Sequence, residues 1–207
     1  MAGNLQDPQW WIDNCLNDLY FLCRSVLVTL EDSGHGFKDL YTPTHKRVCD
    51  FVQQYGVPGN KVLILTPRGW VKSYLITVGW TIQRLLNNLV AGRREHQIIS
   101  NATLPNAKVF LEKIKHNLEH NELLRGLFRE YLPKRLDTGA EKWTLDYMQL
   151  HGCLIETGSV EGNLVSRHYK TMINDDLVNK ENSQTKEQLL KPWIGGGSPN
   201  RFFSAMG

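Results

Sequence analysis

This chain lacks most of the features that settle a protein's class at a glance. Its four cysteines, Cys15, Cys23, Cys49 and Cys153, form no C-x-x-C pair, so neither a zinc ribbon nor a disulfide framework is read from them. Reduced thiols in a cytoplasm are the expectation. No run approaches the roughly 20 apolar residues that a membrane helix needs, and the N-terminus does not combine a basic start with a long apolar stretch. An excess of one charge is missing too. The formal net charge of +3 is far below that of a protein that wraps nucleic acid unaided, so contact with a polyanion has to be local. Internal repeats and low-complexity tracts are also absent.

What remains is a chain of 207 residues, 41% hydrophobic, long enough to bury one sizeable core in a single domain. Trp11, Cys15, Leu19, Leu22 and Val26 fall near one face of a helical N-terminal region, and a Gly-containing loop follows at 32–37. A second helix is predicted over 44–54, and Tyr55-Gly56-Val57-Pro58-Gly59 breaks it. Val62, Leu63, Ile64 and Leu65 read as a strand buried on both faces, and Gln97 to Asn101 as another. Thr103 with Pro105 opens a helix through Leu118. Leu154 to Thr157 and Tyr169 to Asn174 are two further strands. Alternating strands and helices predict an α/β fold with a mostly parallel sheet flanked by helices, where ligands bind at the carboxyl ends of strands. The expected organisation is a helical segment at 1–56 packed on a core at 57–191, then an irregular tail at 192–207.

The densest chemistry lies in KVLILTPRGWVKSYLITVGWTIQRLLNN, residues 61–88. An apolar run ends in a turn carrying Lys72-Ser73, and then Leu75, Val78, Ile82, Leu85 and Leu86 recur at helical spacing. A strand-to-helix junction of this kind presents unpaired N–H groups and a positive dipole end to an anion. In a phosphate-binding loop Lys72 reaches the outer phosphates and Ser73 a magnesium ion. Against the pattern G-x-x-x-x-G-K-[ST], Thr66 replaces the first glycine and Val71 the second, leaving Gly69 to supply backbone freedom; an ordinary turn with a surface lysine is the plainer alternative. A second element is Asp175-Asp176 at the tip of the last strand. Paired acids there suit ATP hydrolysis, one holding a magnesium shell and the other orienting or deprotonating water, while a solvated Asp-Asp turn is the commoner occurrence.

Taken together and in this order, the motifs resemble the ATPase domain of the large terminase subunit of tailed bacteriophages, over roughly residues 17 to 191. The resemblance is carried by LYTPTHKRVCDFV at 40–52, LILTPRGWVKS at 63–73, IISNATLPNAKVFLEKIKHNLEHNELLRGLF at 98–128 and HYKTMINDDLVNKENSQTKEQ at 168–188. It implies a P-loop NTPase of RecA/ASCE-like type that couples ATP hydrolysis to translocation of double-stranded viral DNA into a procapsid. Pro67, Arg68, Gly69, Trp70, Val71, Lys72 and Ser73 would form the nucleotide loop, and Arg68 would contact phosphate through its guanidinium. Asp175 and Ser73 would hold Mg2+, and Asp176 would be the catalytic acid beside Lys72 and Arg68. Tyr41 to His45 matches the segment that approaches adenine. The implied cofactors are ATP and Mg2+. The implied partners are double-stranded DNA, the small terminase subunit, the portal protein and further copies in a ring, in a host bacterial cytoplasm and away from membranes.

Other readings stand beside this one. His116-Asn117-Leu118-Glu119-His120 spells H-x-x-E-H, with two histidines on one helical face, but its charged surroundings favour a surface helix. The loop from Gly158 to Asn163 is expected to turn the chain, and Arg93 and Arg94 to be solvated. After Ile194-Gly195-Gly196-Gly197-Ser198-Pro199 no further strand or nuclease domain is recognised, so a truncated, frameshifted or split reading frame is expected, and DNA cleavage is not. A catalytically silent fragment that keeps the fold, and a helicase of similar core, are the alternatives.

Overall fold

In the computed structural model, residues 7–29, 40, 42–67, 69–159 and 168–177 are described. Asp7 opens the first helix, its carboxylate accepting from the Gln9 N–H at 2.9 Å, and Pro8 follows at the first helical position. Helix α1 (Pro8–Asn17) stops at Asp18, which in turn caps α2 (Leu19–Phe21) by accepting from the Phe21 N–H. The coil then widens into a π-helical turn over Leu22–Val26. Cys15, Leu19, Leu22 and Val26 are buried as their spacing predicts. Helix α3 (Thr42–Tyr55) matches the second expected helix. After the 61–71 segment the chain is helical from Lys72, π-helical over Tyr74–Trp80, and continues as α4 (Thr81–Val90).

Strand β1 (His96–Asn101) leads into α5 (Leu104–His120), which begins with Pro105 in its first turn, as read from the sequence. Two short helices follow, α6 (Glu122–Leu127) and α7 (Leu136–Gly139). Then come β2 (Lys142–Trp143), β3 (Tyr147–Leu150), β4 (Cys153–Ser159) and β5 (Thr171–Asn174). These form one five-stranded sheet in the order β2-β3-β4-β1-β5. β1 runs parallel to both β4 and β5, while the β2–β3 and β3–β4 pairs are antiparallel.

The α/β class therefore holds, but the sheet is mixed, where a mostly parallel one was expected. The reason is the β3–β4 connection. Leu150 pairs with Cys153, so only His151 and Gly152 turn the chain, with φ of 48° and 77°. Two consecutive residues of positive φ make the tight turn that suits antiparallel strands, and a parallel crossover needs many more residues.

The second correction concerns Val62 to Leu65. This run forms no strand, and Leu63 and Leu65 are 72% and 84% exposed. Exposure alternates along 61–67 as it would on a half-buried strand, but no ladder partner is present among the described residues. Apolar β-formers make a strand only where a neighbouring strand accepts their hydrogen bonds. The loop region from residue 160 to Asn163 and the LVNKENSQT stretch past Leu177 lie outside the described residues, as does the tail.

The core joins Leu75, Val78, Ile82, Leu85 and Leu86 to Leu111, Ile114 and Leu118 of α5 and to Ile99, Met148 and Ile155 of the sheet. The helical and sheet parts are also locked by a buried ion pair. Arg84 donates to both carboxylate oxygens of Glu95 at 2.8 and 2.9 Å, and Asn88 and Thr171 donate to the same group. Burial pushes the Glu95 pKa up, but these donors outweigh it, and the carboxyl titrates below its usual 4.5.

Two tests follow from this packing. A folded pKa that is depressed contributes stability above the unfolded value of 4.5, and that stability is lost as pH falls through the folded value. Glu95→Ala is expected to lower unfolding free energy by about 3 kcal/mol at pH 7 and to flatten the loss of stability below about pH 4.5, measured by urea denaturation across pH. At Gly79 an added Cβ would collide with the Cys23 Sγ. Gly79→Ala should therefore destabilise by about 1–3 kcal/mol. The Gly79→Ala/Cys23→Ala double variant should lose less than the sum of the two single losses; simple additivity would show that this contact is not the cause.

Candidate functional site

Left-handed backbone at a residue with a side chain is uncommon, and strained positions of this kind collect at functional sites. Among the described residues they are Val71 (φ 55°), His151 and Asp176 (φ 45°). His151 is accounted for by its hairpin turn. The other two meet at one place, because Lys72, next to Val71, forms an ion pair with Asp176. Val71 adopts a left-handed conformation of the kind that favours glycine, and Gly69 (φ 81°) supplies another close by.

Lys72 is the centre of the arrangement. Its Nζ lies 2.8 Å from Asp175 Oδ1 and 2.9 Å from Asp176 Oδ1. The two carboxylates differ sharply in environment, the Asp175 side chain being 3% exposed and that of Asp176 76%. Burial lowers the Lys72 pKa, but the hydrogen bonds and charges of the two aspartates prevail, and it is raised above 10.5. Lys72 is thus a cation held at the start of a helix, next to a carboxylate that faces solvent.

The strand tips set the positions of the acids. The Asp175 N–H donates to the Ser100 carbonyl at 2.9 Å, the Asn101 side chain donates to the Asp175 carbonyl at 2.8 Å, and the Ala102 N–H donates to the Asp176 carbonyl at 3.3 Å. From the helical side, the buried Thr77 Oγ1 donates to Asp175 Oδ2 at 3.3 Å. Thr77 and Asn101 were missed in the sequence. The widened coil over Tyr74–Trp80 aims Thr77 at the acid, and an ordinary helical period does not announce this. Asn101 ends β1, and its position beside Asp175 depends on strand order.

The other expected loop residues are less engaged. Pro67, Gly69 and Trp70 are exposed, Ser73 is half-buried, and Val71 packs against the core. The Trp70 ring lies 6.3 Å from the ring of buried His45, so the Tyr41 to His45 segment does approach the loop through His45. Tyr41 itself and Arg68 lie outside the described residues.

The Ser73 hydroxyl and Asp175 carboxylate are hard oxygen donors of the type magnesium takes, usually one or two carboxylates together with phosphate and water oxygens. Among the described residues no group of three or more His, Cys, Asp or Glu is placed to hold a metal ion. A magnesium ion here would therefore depend on phosphate oxygens. The same statement covers H-x-x-E-H on α5, where the His116 and His120 ring centroids lie 5.1 Å apart with the rings tilted by 49°.

The asymmetry of the two acids is measurable. Asp175→Ala should lower stability by about 3 kcal/mol, because it strips a partly buried lysine and a buried hydroxyl of their acceptor. Asp176→Ala should stay within about 1 kcal/mol, as for an exposed pair. Equal losses in chemical denaturation would mean that Lys72 is held by something other than this geometry. No family model matches this chain, and no curated protein and no solved structure matches it significantly.

Proposed function

We propose that this chain is an ATPase domain of the type found in the large terminase subunit of tailed phages, using ATP hydrolysis to drive double-stranded DNA into a procapsid. The observation that carries the reading is the convergence of Lys72 on Asp175 and Asp176, which brings together two motifs 104 positions apart in the chain. The meeting point is at the carboxyl ends of β1 and β5, where open α/β sheets bind ligands. The left-handed turns at Gly69 and Val71 support a loop that wraps an anion.

In this reading Lys72 neutralises the outer phosphates, Asp175 and Ser73 hold the shell of a magnesium ion, and Asp176 accepts a proton from the attacking water at its exposed carboxylate. Magnesium would supply charge neutralisation on the phosphate oxygens. Lys72 has to loosen its hold on the acids to reach a phosphate, so nucleotide binding would free the Asp175 carboxylate for metal. Arg68 would add a second cation to the loop. The proposed partners are the small terminase subunit, the portal protein and neighbouring copies in a ring in the host bacterial cytoplasm. No helix among the described residues is long and apolar enough to cross a membrane.

A second reading is favoured by one observation. In the unpaired 61–67 segment the loop hangs from a stretch with no ladder partner among the described residues, which suits a domain that binds nucleotide or another subunit without turnover. Titration with a fluorescent ATP analogue separates the two. Magnesium-dependent binding, weakened in Lys72→Ala and Asp175→Ala, is expected. Asp176→Asn should spare binding and cut turnover by about 100-fold or more, as for loss of a general base. Binding with no turnover in the wild type would support the silent reading, and no binding by the folded chain would overturn the ATPase reading and leave the silent one, as a subunit-binding domain.

A further inference from the structure

The sheet has a second functional edge, opposite the Lys72 site. Because β1, β4 and β5 are parallel, their first residues share one edge, and six basic or imidazole side chains lie there. Arg93, Arg94 and His96 enter β1, His151 precedes β4, and His168 and Lys170 precede β5; all six are exposed. The group is contiguous through the backbone. The Cys153 Sγ donates to the Arg93 carbonyl at 3.3 Å, and the Lys170 N–H donates to the His96 carbonyl at 3.0 Å. The Arg94 side chain lies against Gly152, where an added Cβ would meet its Cδ at 2.8 Å.

Among the described residues the acids nearby do not cancel this charge. Glu95 is buried and taken by Arg84. Glu141 accepts from the Gly152 N–H at 2.9 Å and is the exposed acid that this edge's contacts name. No ion pair among the described residues involves Arg93, Arg94 or Lys170. With strands about 4.8 Å apart, β4 to β5 spans about 10 Å, which is the rise of about three nucleotides at 3.4 Å each along one strand of a duplex.

From this arrangement we infer that the edge formed by Arg93, Arg94, His96, His151, His168 and Lys170 binds the phosphodiester backbone of duplex nucleic acid. A protein interface wants an apolar or aromatic anchor at its centre. Among the described residues the exposed large apolar side chains all lie elsewhere, on the helices, the 57–70 stretch, Leu145 and mid-strand Met172. Stacking platforms for single strands need exposed rings, and the one tyrosine here, Tyr169, is half-buried with its hydroxyl donating to Glu156. Backbone binding needs only cations at phosphate spacing and is indifferent to sequence. The surface owes nothing to the nucleotide site, which lies at the far ends of the same strands. It gives the duplex partner of the proposed function a place on this chain, and it stands if ATP binding fails.

The test is fluorescence anisotropy of the whole chain with a labelled random-sequence duplex, titrated at several salt concentrations. Arg93→Gln/Arg94→Gln/Lys170→Gln removes three charges from exposed positions while keeping unbranched polar side chains, and should fold as the wild type does by circular dichroism. It is expected to bind more weakly and to reduce the slope of log K against log salt by about 2–3, near 0.9 per phosphate contact removed. The triple variant should bind the ATP analogue as the wild type does, which keeps this outcome apart from that of the ATP titration. An unchanged slope in the triple variant, or no binding by the wild type at low salt, overturns the inference. So does tighter binding to a poly-glutamate of equal charge, which would assign the edge to an acidic protein.

Discussion

One lysine and two unlike carboxylates set the terms for the rest of the site. An ammonium held between a buried and an exposed acid has to be supported from the buried side, since removing Lys72 or Asp175 leaves its partner's charge without compensation in a poorly solvated place. Here the support comes from the tip of β1 through Ser100 and Asn101, from Thr77 on the widened helix, and from the left-handed turns at Val71 and Asp176. Two of those turns are at residues that resist them, so the surrounding structure over-determines the loop and the acid pair.

Much of the fold was legible in the sequence because it depends on local rules. The longer helices declared themselves through apolar spacing, α5 also through Thr103 and Pro105 at its start, and β1, β4 and β5 through short apolar runs with turn residues at their ends, while the short α6 and α7 were not anticipated. The failures share a cause. Val62 to Leu65 has the composition of a buried strand, but strand formation is settled by a neighbour, and no local pattern encodes one. The β2–β3 hairpin was overlooked because two- and four-residue strands with Lys142 and Gln149 in them barely alternate. For the β3–β4 turn that makes the sheet mixed, His151-Gly152 was the available clue, with His151 standing where Asn or Asp is commonest in such turns.

The candidate site was legible by type and not by geometry. Lys72 and the acidic pair were picked out as residues that chemistry would want together, and they do meet. What sequence could not supply was the difference between Asp175 and Asp176, since burial depends on the strand order that sets one acid under α4's π-helical approach and leaves the other in solvent. Thr77 and Asn101 belong to the same category, ordinary polar residues given a role by topology.

The exposed 61–67 segment also bears on how the protein behaves in a concentrated solution. It carries Leu63 and Leu65 outward with no ladder partner among the described residues. Its short apolar run, VLIL, is of the kind that pairs edge to edge with copies of itself, and only Lys61 and Pro67 stand beside it as breakers. A strand partner or a single inserted charge there is where gentle handling of this protein begins.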